Sequence, residues 1–228
     1  MKKKTFIYVT FLIMIIVLSA CGQDKTKESS SENTKKEVTL SDVLNGKQER
    51  KIIMTHDSEV YDSPDVMWAG TIGKGKVEIH PYYHLEKFEF NDIKDVSMKD
   101  YKDILKEKDK EYAAFPSNKN KKLNIKPVPA KTVLIKDREN PDKVKGIGLD
   151  YDAQYYSGED EYEMLTRAYT ETSKSEDKNW LTLTAYEKDK KKPYVINVEA
   201  KDDEYKFKFE DLDKVTKKYN NLIVMPEQ

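Results

Sequence analysis

The side chains able to do chemistry are few and unevenly placed. Three histidines, His56, His80 and His84, lie in the first half of the chain, and Asp57 adjoins the first. The spacing of His80 and His84 would bring both rings together on a helix, but Pro81 and the apolar stretch before it predict a strand. On a strand the two rings share a face about 13 Å apart. One ion does not bridge that span, and a zinc site needs three or four ligands at about 2 Å. The histidines are expected at the surface or in packing contacts, with no metal. A second candidate is the run from Asp150 to Glu161. Asp150, Asp152 and Glu161 fall where a calcium loop places its first, third and last ligands. Gln154 and Tyr155 then occupy the middle, where the sharp turn needs glycine. An acidic, tyrosine-rich strand and turn is the expected structure. Gly73-Lys74-Gly75-Lys76 lacks the spacing and the following Ser or Thr of a phosphate loop and reads as a hairpin turn. No G-x-S-x-G, H-E-x-x-H or glycine-rich dinucleotide turn occurs. Carboxylates are plentiful, but no pair stands out. The expectation is a protein without catalysis and without a cofactor.

Aromatic side chains are the better candidates for contact with a partner, because tyrosine is favoured at interfaces. Two groups stand out: Tyr151, Tyr155 and Tyr156 in the acidic segment, and Trp68 with Tyr82 and Tyr83.

The 228 residues include 41 basic and 42 acidic ones, with a net charge of −1. Both signs interleave and no basic patch gathers, which argues against nucleic acid. The aromatic content, 11% with 15 tyrosines, argues against global disorder. Only Arg50, Arg138 and Arg167 are arginines; the other basic residues are lysines.

The N-terminus carries the clearest pattern. Lys2 to Lys4 are positive, Phe6 to Leu18 is an apolar run, and Leu18-Ser19-Ala20 leads into Cys21, the chain's one cysteine. A charged start, a short apolar core and small residues form a secretory signal. The apolar core is shorter than the about 20 residues a spanning helix needs. Leu-Ser-Ala-Cys resembles a bacterial lipobox. With the lysine-rich composition, the chain resembles surface lipoproteins of low-GC Gram-positive bacteria. That resemblance implies cleavage before Cys21, a diacylglycerol on its thiol and anchoring at the extracytoplasmic face of the cell membrane. It also implies that no thiol remains for a disulfide, a metal or catalysis. Met14 to Ala20 is similar to apolar signal fragments that some such lipoproteins release as mating pheromones.

The remaining elements follow from pattern. Residues 1–20 are the signal and 21–37 a flexible tether, since Gly22 to Glu37 has no apolar residue. Sixteen residues of coil span about 20–25 Å. A short helix is expected at Thr39–Leu44, strands at Lys51–Thr55, Val66–Ile72, Lys76–His80 and Leu85–Phe90, and an amphipathic helix at Met98–Ala114 capped by Ser97. Residues 117–130 form a basic connector. Further strands are expected at 131–136, 145–151, 162–170, 180–186, 194–200 and 205–209, then a helix at Asp211–Tyr219 and a strand at Leu222–Val224. Phe88 to Val96 reads F-x-F-x-D-I-x-x-V, and Phe207 to Val215 reads F-x-F-x-D-L-x-x-V. The echo suggests two related halves, 38–116 and 131–228. The expected class is α+β: antiparallel meander sheets with one or two packed amphipathic helices. The expected function is a non-catalytic binding module at the cell surface, with an unidentified protein or cell-envelope ligand. The alternatives are an immunity or inhibitor lipoprotein and a wall-acting enzyme.

Overall fold

The computed structural model describes residues 35–56, 63–82, 85, 87–118, 125–151, 171–174, 179–185 and 194–227. Cys21, Tyr83, His84, Tyr155, Tyr156 and the strand expected at 162–170 lie outside them. The chain is α+β. Its strands are β1 (Lys36–Val38), β2 (Arg50–His56), β3 (Val66–Gly73), β4 (Lys76–Pro81), β5 (Val128–Lys136), β6 (Val144–Tyr151), β7 (Glu171–Lys174), β8 (Trp180–Ala185), β9 (Tyr194–Glu199), β10 (Glu204–Phe207) and β11 (Leu222–Pro226). Its helices are α1 (Leu40–Leu44), α2 (Phe90–Ile93), α3 (Met98–Ala113) and α4 (Leu212–Lys218).

The main sheet runs β11-β5-β4-β3-β2-β9-β8-β7, with β6 on β5 and a separate β1–β10 pair. Its register sorts side chains by chemistry. Ile52 pairs with Gly70 and Val198, Met54 with Trp68 and Ile196, and Gly70 with Ile79. Opposed residues share a face, so these form one apolar face. The other face carries Lys51, Ile53, Thr71, His80 and Asn197, and α3 covers part of it. Trp68 and Trp180 sit on opposite faces, since Trp68 aligns through Met54 and Ile196 with Leu183, three residues from Trp180.

Local chemistry sets the elements. Thr39 caps α1, accepting from Asp42 N–H at 3.2 Å. The β3–β4 turn needs positive φ at Gly73, Lys74 and Gly75 (151°, 57° and 72°). Its Lys74 and Gly75 N–H groups donate to Gly46 and Leu44 carbonyls at 2.8 Å, docking the turn on the end of α1. Ser97 Oγ accepts from Asp100 N–H at 3.2 Å and donates to its carboxylate at 2.8 Å, which starts α3. Tyr101, Leu105 and Tyr112 of α3 are buried. Its solvent face is laced by pairs such as Lys99–Asp103 and Lys110–Glu107.

Several expectations need correction. Leu85–Phe90 is not a strand. Glu89 makes one isolated bridge to Asp65, Lys87 turns at φ 61°, and Phe90 already opens α2. Burial of Phe88 decides this segment over its alternating pattern. Val128–Ala130, read as connector, starts β5, and Glu171–Lys174, read largely as turn, is β7. The two halves do not stand as separate bodies. β2 pairs with β9, β1 with β10 and β4 with β5, and Lys35–Gln228 forms one unit. The F-x-F echo does place Phe88 and Phe207 alike, both fully buried, each just ahead of a helix.

The hydroxyl of Tyr101 joins α3 to the sheet. It accepts from Gly70 N–H at 2.9 Å and reaches the Gly70 and Ile52 carbonyls at 2.9 and 3.2 Å. Burial pushes its pKa up, so it stays a donor at all ordinary pH. Tyr101→Phe leaves the Gly70 N–H without that partner and should lower unfolding free energy by about 1–3 kcal/mol in urea denaturation. An unchanged midpoint would show that the bond contributes nothing.

Candidate functional site

Trp68 and Tyr82, expected on a contact surface, are core residues. Trp68 is buried and its indole N–H donates to Met54 Sδ at 2.9 Å. Tyr82 is buried edge-on to Phe88 at 5.1 Å, and its hydroxyl lies 3.0 Å from the Leu105 carbonyl and from Asp109 Oδ1. Helix α3 covers Tyr82, while Trp68 lies on the opposite face of the sheet, packed with its cross-strand neighbour Met54. Of the second aromatic group, Tyr151 ends β6 half-buried. The side chain of His56 also lies outside the description.

Among the described residues the buried ionisable groups form four clusters. Arg50 and Glu204 are a two-pronged pair across β2 and β10, with Nη1 on Oε2 and Nη2 on Oε1. Burial alone would raise the Glu204 carboxyl, but Arg50 outweighs it and holds it below its ordinary value. Lys51 turns inward from β2. Its ammonium donates to the Val96 and Lys94 carbonyls at 2.6 and 3.3 Å and meets Glu199 at 3.1 Å. The rings of Tyr101 and Trp180 lie 5.8 and 5.9 Å from it, at cation–π distance. Glu210 accepts from Ser41 N–H and Oγ at 3.1 and 3.0 Å, and burial pushes its pKa up.

His80 is the fourth. Its Nδ1 lies 3.0 Å from both Asp109 oxygens on α3, and its Nε2 lies 3.4 Å from Glu78. Burial by itself would lower its pKa, but the two carboxylates outweigh burial and raise it. Carboxylates at both nitrogens favour the protonated ring, and the contact ties α3 to β4. No group of three or more His, Cys, Asp or Glu able to hold a metal occurs among the described residues. The calcium-loop reading rests on residues 152–161, outside the description.

One accessible feature among the described residues is an open sheet edge. β11 runs parallel to β5 at the end of the main sheet, and its far side pairs with no described strand. Val224 is 43% exposed, the exposed large hydrophobic among the described residues. A groove of about 430 Å³ lies beside it, walled by Lys136, Arg138 and Pro141 on one side and Val224, Met225 and Pro226 on the other. The turn at Asp137–Asp142 is built by Asp137, which accepts from Glu139 and Asn140 N–H at 2.8 and 3.0 Å. Glu227 closes the end, accepting from Lys145 Nζ at 2.7 Å and Arg138 N–H at 3.2 Å. The sequence marked Leu222–Val224 as a docking strand but gave no sign that one side would stay open.

No family model matches the chain, and neither does any curated protein or solved structure.

The His80 clamp predicts a pH dependence. A histidine whose folded pKa is raised stabilises the fold fully below its unfolded value, 6.5, and that contribution is lost as pH rises through the folded pKa. Thermal unfolding should therefore show Tm falling as pH rises above 6.5, and His80→Asn should remove that decline. An equal decline in both proteins would refute the clamp.

Proposed function

We propose that the chain is a lipid-anchored, extracytoplasmic protein that acts by binding at the membrane's outer face, not by catalysis. One observation carries the reading: Lys2–Lys4, the apolar run to Leu18, and Leu-Ser-Ala before the sole cysteine, Cys21, stand in the order of an acylated signal. Two acyl chains on one cysteine give a stable anchor where one gives a marginal one. No helix among the described residues is long and apolar enough to cross a membrane. Binding is favoured over turnover because the buried ionisable groups already hold one another, as Arg50 holds Glu204 and His80 holds Asp109. The open edge of β11 and its groove are the surface offered to a partner.

The test is metabolic labelling with a radioactive fatty acid in a Gram-positive host. The wild-type chain should carry label and sediment with membranes, and Cys21→Ala should lose both. An unlabelled wild-type chain, or a Cys21→Ala chain that still sediments with membranes, would overturn the anchor.

A further inference from the structure

Edge strands are normally blunted by charges, bulges or proline, because their free N–H and C=O groups template pairing. β11 reads Leu-Ile-Val-Met-Pro, with no charge, no register shift against β5 and proline only at its last residue. Which of its groups are free follows from one bond. Thr132 N–H donates to the Asn221 carbonyl at 3.0 Å. In a parallel ladder alternate residues turn both backbone groups to the same neighbour. Asn221, Ile223 and Met225 therefore face β5, and Leu222, Val224 and Pro226 face outward. No described strand takes that outer side, so among the described residues the edge offers N–H and C=O at Leu222 and Val224, and C=O alone at Pro226.

We propose that this edge pairs with the same edge of a second copy, antiparallel about a two-fold axis at Val224. The proposal deepens the binding reading and rests on its choice of β11 as the contact surface. In that register each Val224 exchanges both backbone bonds with its counterpart, and each Leu222 N–H meets the Pro226 carbonyl opposite. The missing N–H of Pro226 costs nothing but the bond to one Leu222 carbonyl. Ile223 lies opposite Met225 and Asn221 opposite Glu227, so no like charges meet. The exposed Val224 side chains cover each other at the axis. The adjoining groove carries both signs, Lys136 and Arg138 against Asp137 and Glu227, and so selects neither an acidic nor a basic peptide. A self-complementary apolar edge suits a copy of itself, and an isologous contact closes at two subunits. Five residues a side bury less than the about 800 Å² per partner of a stable interface. The pair is therefore weak in dilute solution and forms where copies are concentrated, as on a membrane.

The experiment is disulfide trapping in residues 35–228. This unit holds the whole hydrophobic core and contains no cysteine. Opposed residues in a hydrogen-bonded antiparallel pair have Cα atoms about 5.5 Å apart, within disulfide reach. Under mild oxidation Val224→Cys should give a covalent dimer in about tenfold greater yield than Ile223→Cys or Met225→Cys alone. An equal mixture of the Ile223→Cys and Met225→Cys proteins should give the mixed dimer. Far-ultraviolet circular dichroism confirms that each variant is folded. Monomeric Val224→Cys, or equal yields at all three positions, would overturn the proposal. Failure here with retention of the unit on cell-envelope material, lost in Val224→Lys, would remove the second copy and leave the binding reading standing. Failure of both would remove the binding reading too.

Discussion

The contact between the Tyr101 hydroxyl and Gly70 is the constraint on which the arrangement of helix and sheet depends. A strand N–H in the middle of a sheet must find a partner, and here the partner comes from a helix. Gly70 itself is required by the strand on its other side. A Cβ at that position would fall 1.8 Å from the Glu78 carbonyl oxygen on the neighbouring strand, so no other residue fits without moving β4. With α3 fixed at this point, Lys51 is enclosed between Tyr101 and Trp180, and His80 is brought to Asp109. Tyr82 and Phe88 are sealed below the same helix.

The ionisable clusters then tie together residues far apart in the chain. Arg50 binds Glu204, Ser41 binds Glu210, and Asp42 takes Lys218 and Tyr219 at 2.6 and 2.7 Å. Each joins the first part of the chain to the last, as the β2–β9 and β1–β10 pairings do. Removing one member of the buried Arg50–Glu204 pair strands a charge at a cost of about 3–5 kcal/mol, far more than an exposed pair such as Asp42–Lys218. This accounts for residues 35–228 behaving as one unit. It also leaves the surface chemistry to backbone edges and apolar side chains, of which β11 is the clearest.

The legible part of the fold was the part set locally. The Ser97 cap and the spacing of Tyr101, Leu105 and Tyr112 gave α3 to within a residue of its end. The Gly73–Gly75 turn gave the β3–β4 hairpin, and the α+β class followed. What the sequence hid was set by distant partners. Alternation at Leu85–Phe90 looked like a strand, but Phe88 is drawn into the core and the backbone turns at Lys87. Tyr82 looked like a contact residue because a strand pattern does not say whether a helix covers one of its faces, and Trp68 because it does not say which face is core. The pairing of β11 parallel to β5, and hence its open side, requires knowing where the last strand returns. No local signal carries that.

The backbone at Gly70 is closed and the outer side of β11 pairs with no described strand, and amide hydrogen exchange of residues 35–228 at low protein concentration reads both at once. The expected result is slow exchange at Gly70, Ile223 and Met225, and fast exchange at Leu222 and Val224. Uniform protection along β11, or a Gly70 amide that exchanges as fast as those of surface turns, would contradict it.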